Sequence, residues 1–254
     1  MSFSNFDFKT APLGWGKTQH LLSVMNDIAI LLPVFLIVFT WRGFIQAAMA
    51  RLMGDRTAKD SGFLTLNPIA HIDVFGLLII MAVFFFLGGL FHDVLPRSAL
   101  FILLIILGVR WTHPVPIEDS QFTSYRLGGI VTALSGPIAN IILAFMATGV
   151  LRLVLWDALS LNVIMIFVDI LKVLIDISLF FALLDLVPLP PFDGGRLLRY
   201  ALPDSKQYIV EWLEDYSLYI LFFLFFMPGI SDVFLGTLSM VALTIKKLMF
   251  AIFF

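Results

Sequence analysis

The chain has 254 residues, 60% of them hydrophobic and only 13% charged, with a formal net charge of −2. A soluble domain of that length cannot hide so much apolar surface, and there is no basic excess to attract nucleic acid. Cysteine is absent, which excludes disulfides and thiolate metal sites. The composition predicts an integral membrane protein with an all-α, polytopic fold, whose first partner is the lipid bilayer.

In chain order, residues 1–22 are polar and aromatic, without the basic start and apolar centre of a signal peptide. They read as an extracytoplasmic tail ahead of a single transmembrane domain over 23–254. Apolar runs of about 20 residues mark membrane helices. They fall at 23–52, 74–92, 98–112, 126–155, 162–188, 211–229 and 232–253, giving six to seven crossings because 98–112 is short. Residues 53–73 differ. Gly54-Asp55, Ser61-Gly62 and Asn67-Pro68 are turn pairs around β-prone pieces such as Phe63-Leu64-Thr65-Leu66. The segment is expected to be irregular or β-like and embedded in the membrane, where such backbone needs cover from protein or water.

Lysine and arginine set orientation. Arg51, Arg56, Lys59, Arg110, Arg126, Arg196, Arg199 and Lys206 fall on one side of this arrangement, and Lys9, Lys17, Arg97 and Arg152 on the other. The larger group places the end of the first helix and the 185–206 loop in the cytoplasm and the N-terminus outside, in what is expected to be a bacterial inner membrane. Lys246 and Lys247, late in the last helix, would snorkel to the cytoplasmic face if that helix crosses fully.

Three motifs carry more than topology: Leu66-Asn67-Pro68-Ile69-Ala70-His71-Ile72-Asp73, Ser135-Gly136-Pro137-Ile138-Ala139-Asn140, and Pro188-Leu189-Pro190-Pro191-Phe192-Asp193-Gly194-Gly195-Arg196. In this order on membrane helices, they resemble the site-2 protease family of intramembrane zinc metalloproteases, over about residues 40–205. The resemblance implies a site-2 protease-like core and a His-Glu-x-x-His sequence beginning at residue 42, counted back from Gly54-Asp55. Two histidines at i and i+4 share a helix face and can both ligate zinc, and the glutamate between them serves as base. The family's third ligand corresponds to Asp193. Residues 42–46 are instead Arg42-Gly43-Phe44-Ile45-Gln46. A guanidinium has no lone pair for a cation, and Gly43 offers no base.

The site is therefore expected to hold no metal or other cofactor and no catalytic residue. Arg42, Gly43 and Gln46 are degenerate positions, and Asp193 reads as a vestigial ligand, a turn cap, or the partner of Arg42 in an ion pair. Asn67, Pro68, His71, Asn140, Asp185 and Asp193 would line a partner or substrate cleft. Within it, His71 with Asn67 and Asp73 reads as a polar clasp on the 53–73 segment, and Asn140 as a helix-packing hydrogen bond. Asp169, Lys172 and Asp176 lie at i, i+3 and i+7 and so on one helix face. Charges inside a membrane helix face protein or water, and this set reads as an internal network or a docking face for a partner's helix.

Three function readings follow. One is a pseudoprotease that is not an enzyme, acting as a scaffold or subunit that binds transmembrane segments of other membrane proteins. The alternatives are an active intramembrane metalloprotease with an atypical ligand set, and a small-solute or proton carrier.

Overall fold

The structure is a computed structural model and describes residues 19–73, 113–156 and 162–254. The expected helices 74–92 and 98–112 and most of the N-terminal tail lie outside the described residues. Helix α1 (Gln19–Leu52) carries Arg51 in its last turn, which suits the negative end of the helix dipole. Two four-residue helices follow, α2 (Thr57–Asp60) and α3 (Pro68–His71). A 3-10 turn (Asp119–Gln121) then precedes the long α4 (Tyr125–Trp156) and α5 (Asn162–Asp185). The short α6 (Asp193–Ala201), a second 3-10 turn, α7 (Gln207–Phe226) and α8 (Ile230–Phe253) complete the chain.

Among the described residues the fold is all-α. The β-like 53–73 segment is corrected to two short helices and a bridge residue at Ile72, with no strand among the described residues. The reason is local. Asn67 accepts from the backbone N–H of Ile69 at 3.1 Å and Pro68 starts the helix, so Asn67-Pro68 nucleates α3 where the apolar run would have to extend as a strand. Two clamps fix the segment instead. Buried Asp55 accepts from Thr57 N at 2.8 Å and from Glu118 N at 2.9 Å, while Thr123 N donates to Met53 O at 2.9 Å. Gly54 makes this possible: its φ is +113°, and a Cβ there would stand 2.8 Å from the Gln121 carbonyl.

Three described helices are long and apolar enough to cross a membrane: Ile30–Leu52 of α1, α4 and α8. Of the expected six to seven crossings, these three stand on length and composition. Helices α5 and α7 are also long and apolar but carry more charge, with Asp169, Lys172 and Asp176 in one and Glu211, Glu214 and Asp215 in the other. The core forms where α1, α4 and α5 meet, with Val34, Val38, Leu151, Ile175 and Leu179 almost wholly removed from solvent. Small residues let the helices approach closely, as at Ala47, Ala139 and Ala144. The Trp41 indole N–H donates to the Ala139 carbonyl at 2.8 Å and pins α1 to α4 just beyond Pro137.

Arg152 Nε donates to the Phe253 carbonyl at 2.9 Å, and the Phe145 and Phe253 rings lie 4.8 Å apart. The C-terminal end of α8 thus sits beside the C-terminal end of α4, at the end of the bundle opposite Arg126. The Lys246 ammonium donates to the Asp176 carboxylate on α5.

Candidate functional site

Arg42 and Gln46 are one turn apart on α1 and project from the same face. Opposite them stand Asp185, the last residue of α5, and Asp193, the first of α6. The linker between the two acids is tight. Side chains at positions 194 and 195 would collide with the 186–190 backbone, a Cβ on Gly195 standing 2.6 Å from Pro190 N. Glycine at both positions lets α6 start directly under that linker, which fixes where the Asp193 carboxylate points. Tyr200 secures the other end of α6. Its ring covers Gly129 of α4 and its hydroxyl donates to Asp119 at 2.6 Å. Burial, and then that bond, push the phenol pKa up to about 12.

The Arg42 guanidinium spans the two acids. Nε donates to Asp185 Oδ2 at 2.8 Å and Nη2 to Asp193 Oδ2 at 2.6 Å. The Gln46 amide lies over both Asp193 oxygens, at 3.3 and 3.4 Å, and Arg196 Nη1 is 3.9 Å from Oδ1. Gly136 of the Ser135-Gly136-Pro137 motif forms the wall. A Cβ there would stand 2.7 Å from Asp193 Oδ2 and 3.2 Å from Arg42 Nε. Both carboxylates are almost wholly buried, with Asp185 7% and Asp193 6% exposed. An unpaired carboxylate in such surroundings costs several kcal/mol. The planar fork of a guanidinium, hydrogen-bonded to one acid through Nε and the other through Nη2, meets that requirement geometrically. Two arginines and two aspartates leave the cluster without net charge.

The donors gathered here do not fit a catalytic zinc ion, which takes three lone-pair ligands and a water. A guanidinium supplies none, the Gln46 nitrogen faces Asp193 as a donor, and both carboxylates accept from Arg42. Among the described residues no group of three His, Cys, Asp or Glu side chains is placed to hold a metal.

The remaining cleft residues divide. Asn67 is exposed and spends its side chain capping α3. His71 is buried, and its Nε2 lies 2.8 Å from the Thr65 carbonyl, so the clasp on this segment closes through Thr65. Asn140 lies one turn beyond Gly136 and is wholly buried. Neither of its side-chain polar atoms finds a partner among the described residues, in place of the expected packing hydrogen bond. Next to α3 a shallow open groove runs between Ser61, Phe63, Ile69 and Ala70 on one side and His113, Pro114 and Pro116 on the other. Ile69 in its wall is 74% exposed. A run of β-prone residues gave no signal for this groove, because it depends on the His113 N–H donating to the His71 carbonyl at 2.9 Å.

On α5, Lys172 pairs with Asp169 at 3.5 Å, and Lys246 of α8 completes the set by pairing with Asp176. The fourth member lies 70 positions along the chain from Asp176, beyond the reach of helix spacing.

This chain is 31% identical over 236 residues to a Bacillus subtilis protein named "Putative zinc metalloprotease YwhC", covering 91% of this chain and 94% of the relative. No family model matches the chain. No solved structure matches it either. The expectation that the chain is not an enzyme is overturned by this relative. Likeness over nearly the whole length to a protein named as a zinc metalloprotease points to protease activity.

Proposed function

The chain belongs to the site-2 protease family of intramembrane metalloproteases, and from that membership we propose that it binds transmembrane segments of partner proteins, as a scaffold or subunit of a membrane complex. The observation that carries the proposal is the groove between α3 and residues 113–116, with Ile69 exposed in its wall. Apolar side chains beside an open groove suit the end of an apolar helix that has left the bilayer core. Asn140 adds support deeper in the bundle, where an unpaired carboxamide offers one donor and one acceptor to an unwound backbone. Under this proposal the N-terminus lies outside a bacterial inner membrane, with the groove at the cytoplasmic end of α1.

A second reading, hydrolysis of the bound segment, is favoured by the name of the relative. One experiment addresses both. The protein in lipid nanodiscs carries a photo-crosslinking residue at position 69 and is mixed with labelled single-pass segments. Crosslinking that is lost in I69E supports binding, and shortened segments seen by mass spectrometry support hydrolysis. Crosslinking at position 69 no greater than at exposed Tyr208 would remove the proposal.

A further inference from the structure

We infer that α7 does not cross the membrane but lies along its surface, at the end of the bundle that carries Arg126, with an aromatic face seated in the lipid interface. An apolar run over 211–229 suggests a crossing, and the positions of the two helix ends contradict it.

The first end is fixed by α6 and α4. The Gln207 amide donates to the Arg199 and Leu202 carbonyls at 2.9 and 3.1 Å, and Arg199 pairs with Glu214. Just before α7, Asp204 accepts from Arg126 in the first turn of α4 at 3.0 Å. The second end follows from α8. Phe253 meets Arg152 at the far end of α4, and Lys246 meets Asp176 part-way down α5, so α8 followed backwards descends toward Arg126. At 1.5 Å per residue, Asn162 to Asp176 covers about 21 Å of that descent and Lys246 to Ile230 about 24 Å more. Together these come close to the full length of α4, about 48 Å, so Ile230 stands near the Tyr125 end. Only Met227-Pro228-Gly229 separates Ile230 from α7, and Gly229, with φ +85°, admits the sharp turn. Both ends of α7 therefore lie at one end of the bundle. A helix of 20 residues directed along the bundle would span about 30 Å and put its ends at opposite membrane surfaces.

The two faces of α7 suit a helix lying in the interface. Val210, Leu221 and Phe225 are buried, and the Phe225 ring meets Phe234 of α8 with centroids 5.4 Å apart. Tyr208, Trp212, Tyr216, Tyr219, Phe222 and Phe223 share the other face and are between 47% and 66% exposed. Tyrosine and tryptophan rings favour the headgroup level, and an apolar face of this kind sinks to the acyl boundary. Glu214 is paired with Arg199, while Glu211 and Asp215 on the aromatic face are exposed and have no ion-pair partner among the described residues. Free carboxylates are costly in hydrocarbon, which holds this face at the headgroups and out of the acyl core. Seated in this way, α7 fastens α6, whose first residue is Asp193, to the membrane surface.

The test uses full-length protein in nanodiscs of phosphatidylethanolamine and phosphatidylglycerol. Because the chain has no cysteine, single cysteines at positions 212, 216, 219 and 223 can each carry a nitroxide label. Depth is read from relaxation by oxygen, which concentrates in the acyl core, against an aqueous nickel chelate. All four labels are expected at one shallow level, about 5–10 Å below the headgroup boundary. Depth that increases from 212 to 223 and passes the midplane, as in a crossing helix, would overturn the inference. Labels fully open to nickel would overturn it too, by placing the face in water, and labels shielded from both reagents would assign the face to a protein partner instead. A second arm reads the far end of α7. A cysteine in place of Ser231 is expected to react with an impermeant reagent from the same membrane side as one in place of Lys59, and reaction from the opposite side would overturn the inference.

Discussion

Removing the Arg42 side chain is the most informative single perturbation of the site. Arg42→Ala deletes the donors to Asp185 and Asp193 and leaves two carboxylates that are 7% and 6% exposed. Stranding one member of a buried ion pair costs about 3–5 kcal/mol. Water reaches about a fifth of the Arg42 side chain, at 21% exposure, which places the expected loss near the low end, roughly 3 kcal/mol. Two companions isolate the cause. R42A/D193N removes one stranded charge and should recover part of the loss, since Gln46 can still bond the resulting amide. Millimolar guanidinium should raise the melting temperature of R42A and not of the wild type, because the cavity left behind is lined by both acids. Thermal unfolding in detergent measures every one of these conditions. An R42A variant within about 0.5 kcal/mol of wild type and indifferent to guanidinium would place it among ordinary surface substitutions and refute the reasoning.

Other predictions address the surroundings of the site. Gly136→Ala drives a methyl group to 2.7 Å from Asp193 Oδ2 and should destabilise by about 1–3 kcal/mol, read by the same unfolding assay. Because the chain has no cysteine, single cysteines report topology cleanly: those at positions 156 and 254 should react with an impermeant reagent from one side of the membrane, and one at 59 from the other. The Tyr200 phenol has its pKa raised to about 12, so burial favours the neutral form. Its contribution to stability is complete below an unfolded-chain value of about 10 and is lost as pH rises through about 12, and Y200F should flatten that alkaline loss.

Apolar run length made α1, α4 and α8 readable to within a few residues, because the bilayer fixes how long such a run must be. Helix ends were less legible. The run to 188 stops as a helix at Asp185: Leu186 and Val187 close i to i+3 bonds, and Pro188 cannot continue the helix. Helix α7 begins at Gln207, ahead of its apolar run, where the Gln207 amide donates to the Arg199 and Leu202 carbonyls and satisfies the exposed end of α6. The facing of Arg42 and Asp193 followed from the family resemblance, which puts both at metal-ligand positions. What needed three dimensions was invisible in one: Lys246 beside Asp176, His71 against Gly43, and Gly136 as the wall behind the ion pair.

The central physical claim, that a guanidinium holds the place given in this family to a metal ion, is tested most directly by an experimental density map. The wild-type protein would be imaged in lipid nanodiscs equilibrated with zinc. The account predicts a planar Arg42 head within hydrogen-bond distance of Asp185 and Asp193 and no metal between the two carboxylates. Arg42 turned away, more than about 6 Å from Asp193 and far beyond hydrogen-bond range, with a metal ion held by the two acids in its place, would contradict it.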